Sequence, residues 1–339
     1  MMIECNGISD GFRKVVDTIQ RLGVITDSRL GKVIKFPSPV LLKFTSPRQR
    51  VLLCRSRCPN PFFHLAEVFW MTSGSNLLKP IELFNSGYYR YSDDGQILQG
   101  AYGFRWKKKY GKDQLSEAVR LLSEDTHTRR VVIQIWDSED LGKVSNDIPC
   151  HTQIYLWIEN NKLNMTVCNR SNDLVWGLFG SNFVHFTFLM EYLTSCRPLR
   201  EKGIEMGSYY VFSNNLHAYI NEENPVAKWN PDCWLKDVVP CPKDSPLIND
   251  GDTFSSLSEK LISLINESEI QDIPCRLQEF STEHREEPFV SYCAMNFAEY
   301  LNRKRTKKPI VFCKYDTWDS GMILWYQQKD YRYETCRLE

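Results

Sequence analysis

Apolar and polar positions alternate along this chain in blocks that predict both strands and helices. The densest block runs from Pro61 to Met71, where Phe62, Phe63, Leu65, Ala66, Val68, Phe69 and Trp70 are apolar nearly all round. That pattern predicts a buried helix, ended by the turn Ser73-Gly74-Ser75-Asn76. Leu115, Ala118, Val119 and Leu122 fall on one face of a second helix over about Asp113 to Ser123, with Asp113 placed to cap it. Asn182 to Leu193 reads as a third, strongly apolar helix, and Leu257 to Ile265 as a fourth.

Strand signals lie between them. Ile34 to Phe44, and Val51 to Leu53 beyond Pro47, read as strands broken by prolines. Val131 to Trp136, Thr152 to Ile158, Leu163 to Cys168 and Ser208 to Ser213 follow, with Asn160-Asn161 as the turn of a hairpin. Leu163, Met165 and Val167 alternate with Asn164, Thr166 and Cys168, so that strand has two unlike faces. The sum predicts an α+β fold grouped around one mixed sheet. Beyond about residue 225 the signals weaken, so 226–339 is expected to be an irregular extension of the same domain. Within it Asn302 to Pro309 reads as a basic, solvated loop.

Composition changes this picture little. Of 339 residues, 42% are hydrophobic, and Lys plus Arg balance Asp plus Glu at 42 each. A neutral chain of this length buries an ample core and has no broad electrostatic attraction for nucleic acid or a membrane surface. A leader peptide and an apolar run of membrane-spanning length are not expected, and the 12 scattered cysteines suggest reduced thiols in a cytoplasm. Cys54 and Cys58, with His64 nearby, lack a second ligand pair at zinc spacing, so no metal site is expected.

The candidate chemistry centres on Cys150. His151 beside it suggests a cysteine–histidine pair, yet adjacent residues on a strand point to opposite faces. Activation of Cys150 must therefore come from elsewhere in the fold.

Six segments occur in one order: HLAEVFWMTSG (64–74), LQGAYGFRW (98–106), TRRVVIQIW (128–136), IPCH (148–151), RSNDLVWGLFGSN (170–182) and NNLHAYIN (214–221). Over residues 24 to 225 this order resembles the thymidylate synthase family, which also contains the pyrimidine nucleotide hydroxymethylases. The resemblance implies a mixed sheet packed with helices, two such sheets stacking across a homodimer with shared sites. It implies a pyrimidine nucleoside monophosphate as substrate and 5,10-methylenetetrahydrofolate as the source of one carbon. Cys150 would add to C6 of the ring, making C5 nucleophilic. Arg170 would lower the thiol pKa and, with Ser171, hold the phosphate. Arg129 and Arg130 would reach the partner subunit's phosphate, and Arg29 matches a mobile phosphate-loop arginine. Glu67 matches the carboxylate that organises water and protons around the ring, and Tyr102 a tyrosine beside the nucleophile. A glutamate in so apolar a helix also has to face a polar cavity. His217 and Tyr219, two apart on a strand, would share a face and bind the sugar. Asp173 and Gly177 match folate positions, and Asn182 the asparagine that reads the base. Its other reading is an N-cap of the following helix.

Two departures bear on the product. Leu178-Phe179-Gly180-Ser181 puts one more residue than the family's spacing between Gly177 and Asn182. The chain also ends Cys336-Arg337-Leu338-Glu339, without the family's Met-rich closing tail. Both favour a hydroxymethylase, which adds water, over a synthase that completes a methyl group by hydride transfer. The base stays open, because an amide can serve uracil or, flipped, cytosine.

Overall fold

The structure, a computed structural model, describes residues 1–220, 229–242, 245–306 and 308–338. The expected boundary at 225, Asn221 of the last motif, Lys307 of the basic loop and Glu339 of the tail lie outside these.

A six-stranded sheet carries the architecture. Its strands are β1 (Met2–Cys5), β4 (Val40–Phe44), β5 (Val132–Gln134), β6 (His151–Glu159), β7 (Lys162–Asn169) and β9 (Glu205–Ser213), ordered β1-β4-β9-β7-β6-β5. β1 runs parallel to β4 and β7 parallel to β9, while the other neighbours are antiparallel. Asn160 and Asn161 turn the β6–β7 hairpin with φ of 52° and 57°, the left-handed pair that a two-residue turn needs. Register aligns Ile133, Ile154, Val167, Val211 and Leu42 in one row across the sheet, all buried. On the opposite face Val132, Tyr155 and Phe212 are exposed.

The expectation of one sheet needs correction. A four-stranded sheet, ordered β2-β3-β10-β8, is built from β2 (Val24–Ser28), β3 (Gly31–Lys35), β8 (Asn172–Asp173) and β10 (Leu216–Tyr219). Pro37 and Pro39 divide the expected Ile34–Phe44 strand, so its two halves enter different sheets. Val51 to Leu53 is buried but not a strand, since pairing there is confined to a bridge between Cys54 and Val238 and a bond from Val239 N–H to Leu53 O at 3.0 Å.

The buried face of the large sheet is covered by α6 (Phe183–Ser195), and α2 (Pro61–Thr72) packs on α6. Asn60 caps α2 by accepting from Phe62 and Phe63 N–H, worth about 1 kcal/mol. Asp113 caps α5 (Gln114–Glu124) as expected. The short α4 (Tyr102–Phe104) crosses α2 so closely that a Cβ on Gly103 would stand 2.0 Å from Met71 O. Only glycine permits this crossing, which sets Tyr102 beside α2.

An amphipathic α1 (Ile8–Leu22), buried through Phe12, Val15, Val16 and Ile19, and the short α3 (Leu78–Glu82) and α7 (Arg197–Arg200) complete this part. The irregular extension expected after residue 225 is instead largely helical: α8 (Pro231–Asp237), α9 (Gly251–Glu267), α10 (Ile273–Glu283), α11 (Pro288–Asn302) and α12 (Asp316–Gln328). α9, α11 and α12 all pack on α2, so their apolar faces complete the core around it. A parallel pair, β11 (Ile310–Cys313) and β12 (Glu334–Arg337), closes the chain's described course. No helix among the described residues is long and apolar enough to cross a bilayer.

Candidate active site

Cys150 immediately precedes β6, and Arg170 immediately follows β7, so the hairpin brings the two to one end of the large sheet. Arg170 N–H donates to Cys150 O at 3.0 Å. Its side chain then lies back along the cysteine loop, Nε donating to Pro149 O and Nη2 to Ile148 O, both at 3.0 Å. The guanidinium sits 5.5 Å from the Trp136 ring centroid and remains exposed. Ser171 follows, half-buried.

The thiol does not match the expected pKa. Burial pushes it up, Arg170 pulls it down, and the Asp147 and Asp173 carboxylates push it up again, with burial outweighing the cation. His151 cannot serve as its base. The ring is buried against Tyr102 and Phe186, and burial lowers its pKa to about 3.

Glu67 projects from α2, 5% exposed, toward this cluster. Tyr88 Oη donates to its Oε1, and His185 Nε2 of α6 lies 3.0 Å from its Oε2. Tyr102 is half-buried, and burial raises its phenol well above the usual range, with Cys150, Asp147 and Glu67 all adding to the shift.

Parallel pairing of β8 with β10 sets Asp173 opposite His217. Asp173 Oδ1 caps the next turn by accepting from Val175 N–H at 2.7 Å and Trp176 N–H at 3.1 Å. The His217 and Tyr219 rings meet edge-on at 5.2 Å, confirming that they share a face. Burial, with Asp173 and Cys150 nearby, raises the Tyr219 phenol, and Arg29, exposed in the β2–β3 turn, is close enough for its charge to oppose that rise.

Asn182 is half-buried and is not an N-cap. Its backbone is already helical, at φ −64° and ψ −39°, and its side chain caps nothing. The extra residue before it is absorbed in a wide turn over Leu174–Asn182, where Phe179 and Gly180 leave helical geometry. A Cβ on Gly177 would stand 2.7 Å from Asn172 Oδ1 and 3.0 Å from Asn182 Nδ2. The space at Gly177 thus admits two asparagine amides.

The structure brings Cys150, Arg170, Glu67, Tyr102, Asp173, His217 and Tyr219 into one region. Arg129 and Arg130 stand apart, exposed before β5, and make no side-chain hydrogen bond or ion pair among the described residues. Cys54 and Cys58 belong to the core below, where burial raises both thiols. Among the described residues no group of three or more His, Cys, Asp or Glu is arranged to hold a metal ion.

Two groups near the thiol carried no sequence signal of their own. One is Tyr88. The other is Asp147, whose Oδ2 accepts from Gly100 N–H at 2.6 Å. A Cβ on Gly100 would lie 2.7 Å from Asp147 Oδ1, so this glycine lets the carboxylate seat. Burial raises the Asp147 carboxyl to about 6, opposed by the Gly100 bond. Above that pH its charge holds the thiol up, and below it the charge is gone. Asp147→Asn is therefore expected to speed alkylation of Cys150 by iodoacetamide several-fold at pH 7–8. The two proteins should converge below about pH 6, read by site-resolved mass spectrometry. Equal rates at pH 8 would remove Asp147 from the thiol's electrostatics.

The thymidylate synthase family model matches residues 11–230. A deoxyuridylate hydroxymethyltransferase of Pseudomonas phage M6 is 44% identical over 207 residues, covering 60% of this chain and 58% of that protein. The enzyme of the same name from Bacillus phage SP01 is 30% identical over 223 residues, with coverages of 62% and 57%. The chain thus spans under three fifths of the length of these relatives. The crystal structure of thymidylate synthase from T4 phage matches with a TM-score of 0.53 at 20% identity, over 62% of this chain and 77% of that one. It supports the fold. With the matched model spanning β4, β5, β6, β7 and β9 of the large sheet, the cysteine loop and the Asp173–His217 pair, the chain belongs to the thymidylate synthase family.

Proposed function

We propose that this protein transfers a one-carbon unit to C5 of a pyrimidine nucleoside monophosphate, dUMP first, and releases it as the hydroxymethyl nucleotide. The observation that carries the chemistry is the hairpin end where Cys150 lies against Arg170, with Glu67 facing it from α2. The similarity to phage deoxyuridylate hydroxymethyltransferases supports water over hydride as the final reactant and uracil as the base.

In this reading the nucleotide phosphate enters beside Arg170 and Ser171, and Arg29 closes over it from the β2–β3 turn. Fixed by two backbone carbonyls, Arg170 offers charge without having to search for its position. His217 and Tyr219 meet the sugar, and Asn182 presents an amide to the base edge. Cys150 loses its proton and bonds to C6, which makes C5 a nucleophile. Tyr102 faces the sulfur. Glu67 handles protons through water at the ring, in a pocket dry enough to strengthen each contact.

5,10-Methylenetetrahydrofolate would supply the carbon at the methylene oxidation level. Asp173 fits its pterin: Oδ1 is taken by two N–H groups, while Oδ2 has no protein hydrogen bond among the described residues and stands beside half-buried Trp176. Gly177 keeps that wall low. The exposed face with Val132, Tyr155 and Phe212 would stack on a second copy, carrying Arg129 and Arg130 to the partner's phosphate. A cytoplasmic location accords with free thiols at all 12 cysteines.

Incubation with 5,10-methylenetetrahydrofolate and dUMP, dCMP or CMP tests this directly. The expected product is hydroxymethyl-dUMP with tetrahydrofolate, identified by mass. Formation of dTMP with the dihydrofolate absorbance change would overturn it in favour of a synthase. A dimer in sedimentation would support the shared site.

A further inference from the structure

The turn after α3, Ser86–Tyr91, is short, polar and partly exposed, yet one of its side chains reaches the most protected carboxylate of the site. Tyr88 crosses from this turn to α2, where its hydroxyl donates to Glu67 Oε1. Its ring is held edge-on by Phe63 at 5.3 Å and by Tyr91 at 5.9 Å. Phe63 in turn stacks on Trp176 at 5.8 Å, the residue that follows Asp173 and Val175 on the proposed pterin wall. Tyr88 is therefore fixed on both sides by rings, and its hydroxyl has one destination.

Glu67 needs such a partner. It is buried in a largely apolar helix, and among the described residues no lysine or arginine pairs with it, while His185 Nε2 lies 3.0 Å from its Oε2. A carboxylate withdrawn from water costs several kcal/mol unless it accepts hydrogen bonds, and a phenol that donates to it both orients it and favours its charged form. The groups facing this pair are His185 from α6, Tyr102 from α4 and, on the cysteine loop, Asp147. Among these Tyr88 is the one whose hydroxyl bonds the Glu67 carboxylate. Burial and the Glu67 charge push its own phenol well above the usual range, so it stays a donor throughout the neutral region.

We propose that Tyr88 is a positioning residue for the water-adding step, aiming Glu67 so that Glu67 takes a proton from the attacking water. This deepens the hydroxymethylase reading and rests on it. In the step, the water oxygen bonds to the methylene carbon on C5 and its proton passes to Glu67. The methylene π pair shifts into the ring, which then re-forms its C5–C6 double bond as the C6–S bond breaks and the sulfur leaves with its pair as the Cys150 thiolate. No oxidant or reductant is consumed. Attack of Cys150 on C6 precedes this step and does not use the Tyr88 bond.

The test is Tyr88→Phe, which keeps the ring and removes the donor. Expected is a fall in kcat of about ten- to a hundred-fold, the range of one charge-assisted hydrogen bond. KM for dUMP should stay within about two-fold, and the rate of covalent adduct formation with 5-fluoro-dUMP and the folate should be unchanged. Unchanged adduct formation also shows that the variant is folded. In a double-mutant cycle, Tyr88→Phe should add little to Glu67→Gln, because the bond it removes is already weakened. Wild-type kcat in Tyr88→Phe, or equal and independent losses in the cycle, would overturn the proposal. If wild-type protein itself yields dTMP, the hydroxymethylase reading has failed, and product mass tells that case apart. If both adduct formation and kcat fall together, Tyr88 is structural and the proposal is wrong.

Discussion

Cys150→Ser is expected to lower turnover by about 10^4-fold or more and to abolish the denaturant-stable adduct with 5-fluoro-dUMP. The reason lies in the sulfur and in its surroundings. A serine hydroxyl is a far weaker nucleophile than a thiol, and this pocket would not rescue it. Burial already raises the Cys150 thiol against the pull of Arg170, and Asp147 and Asp173 oppose any further negative charge. What the site offers an incoming nucleotide should survive the change. Arg170 is anchored by backbone carbonyls of Ile148 and Pro149 and does not depend on the side chain at 150. Nucleotide affinity, measured by calorimetry, is therefore expected to change by less than about three-fold. Retained turnover or a retained adduct in the serine variant would refute the covalent reading. Loss of binding together with turnover would point to a collapsed loop, and restoration of binding without turnover at high nucleotide would separate the two.

The raised thiol also shows where the sequence was legible and where it was not. Arg170 after β7 and Cys150 before β6 could be placed together from the motifs, because a hairpin joins them. The sign of the net effect on the thiol could not be read, since it depends on burial and on two acids from other segments. Asp147 lies three residues before the cysteine, but its seat is a glycine 47 residues earlier, in a different motif. Tyr88 sits in a polar stretch with no periodicity, 21 residues from the glutamate that it bonds. Neither pairing leaves a local pattern.

Secondary structure divides in the same way. α2 and α5 were legible from their apolar stripes and caps, and the β6–β7 hairpin from its alternation and paired asparagines. α1 carries an equally clear stripe through Ile8, Phe12, Val15 and Ile19, but none of the six motifs reaches it. Beyond residue 230, α9 was legible in Leu257 to Ile265, while α11 was obscured because it buries a polar group that its own sequence does not explain. Asn296 of α11, fully buried, donates to Phe312 O and accepts from Phe312 N–H at 3.0 and 3.1 Å, replacing a strand neighbour for β11. Read alone, that asparagine weakens a helix; in place, it fastens a strand to one.

The same logic makes Glu191→Ala the substitution expected to cost most stability. Glu191 is on α6, under the large sheet, and 1% exposed. It accepts from Arg50, itself 0% exposed, and from the backbone N–H groups of Leu247 and Ile248. One carboxylate therefore neutralises a buried cation and ties the segment before α9 to the sheet's covering helix. Alanine would leave the Arg50 guanidinium buried over the Phe188 ring, 4.2 Å from its centroid, with no counter-charge. Breaking a buried pair by removing one partner costs about 3–5 kcal/mol. For a chain of this size that is a fall in Tm of roughly 5–10 °C, measured by calorimetry or circular dichroism. Limited proteolysis should show cleavage near residues 245–250 before the rest of the chain. Glu191→Gln, which keeps an acceptor but not the charge, should fall between alanine and wild type. Replacing both Arg50 and Glu191 by methionine should recover part of the loss, since an apolar pair leaves no buried charge uncompensated. A change below about 1 kcal/mol in Glu191→Ala would mean that Arg50 finds water or another acceptor, and that the segment at 247–248 is held by its apolar contacts alone.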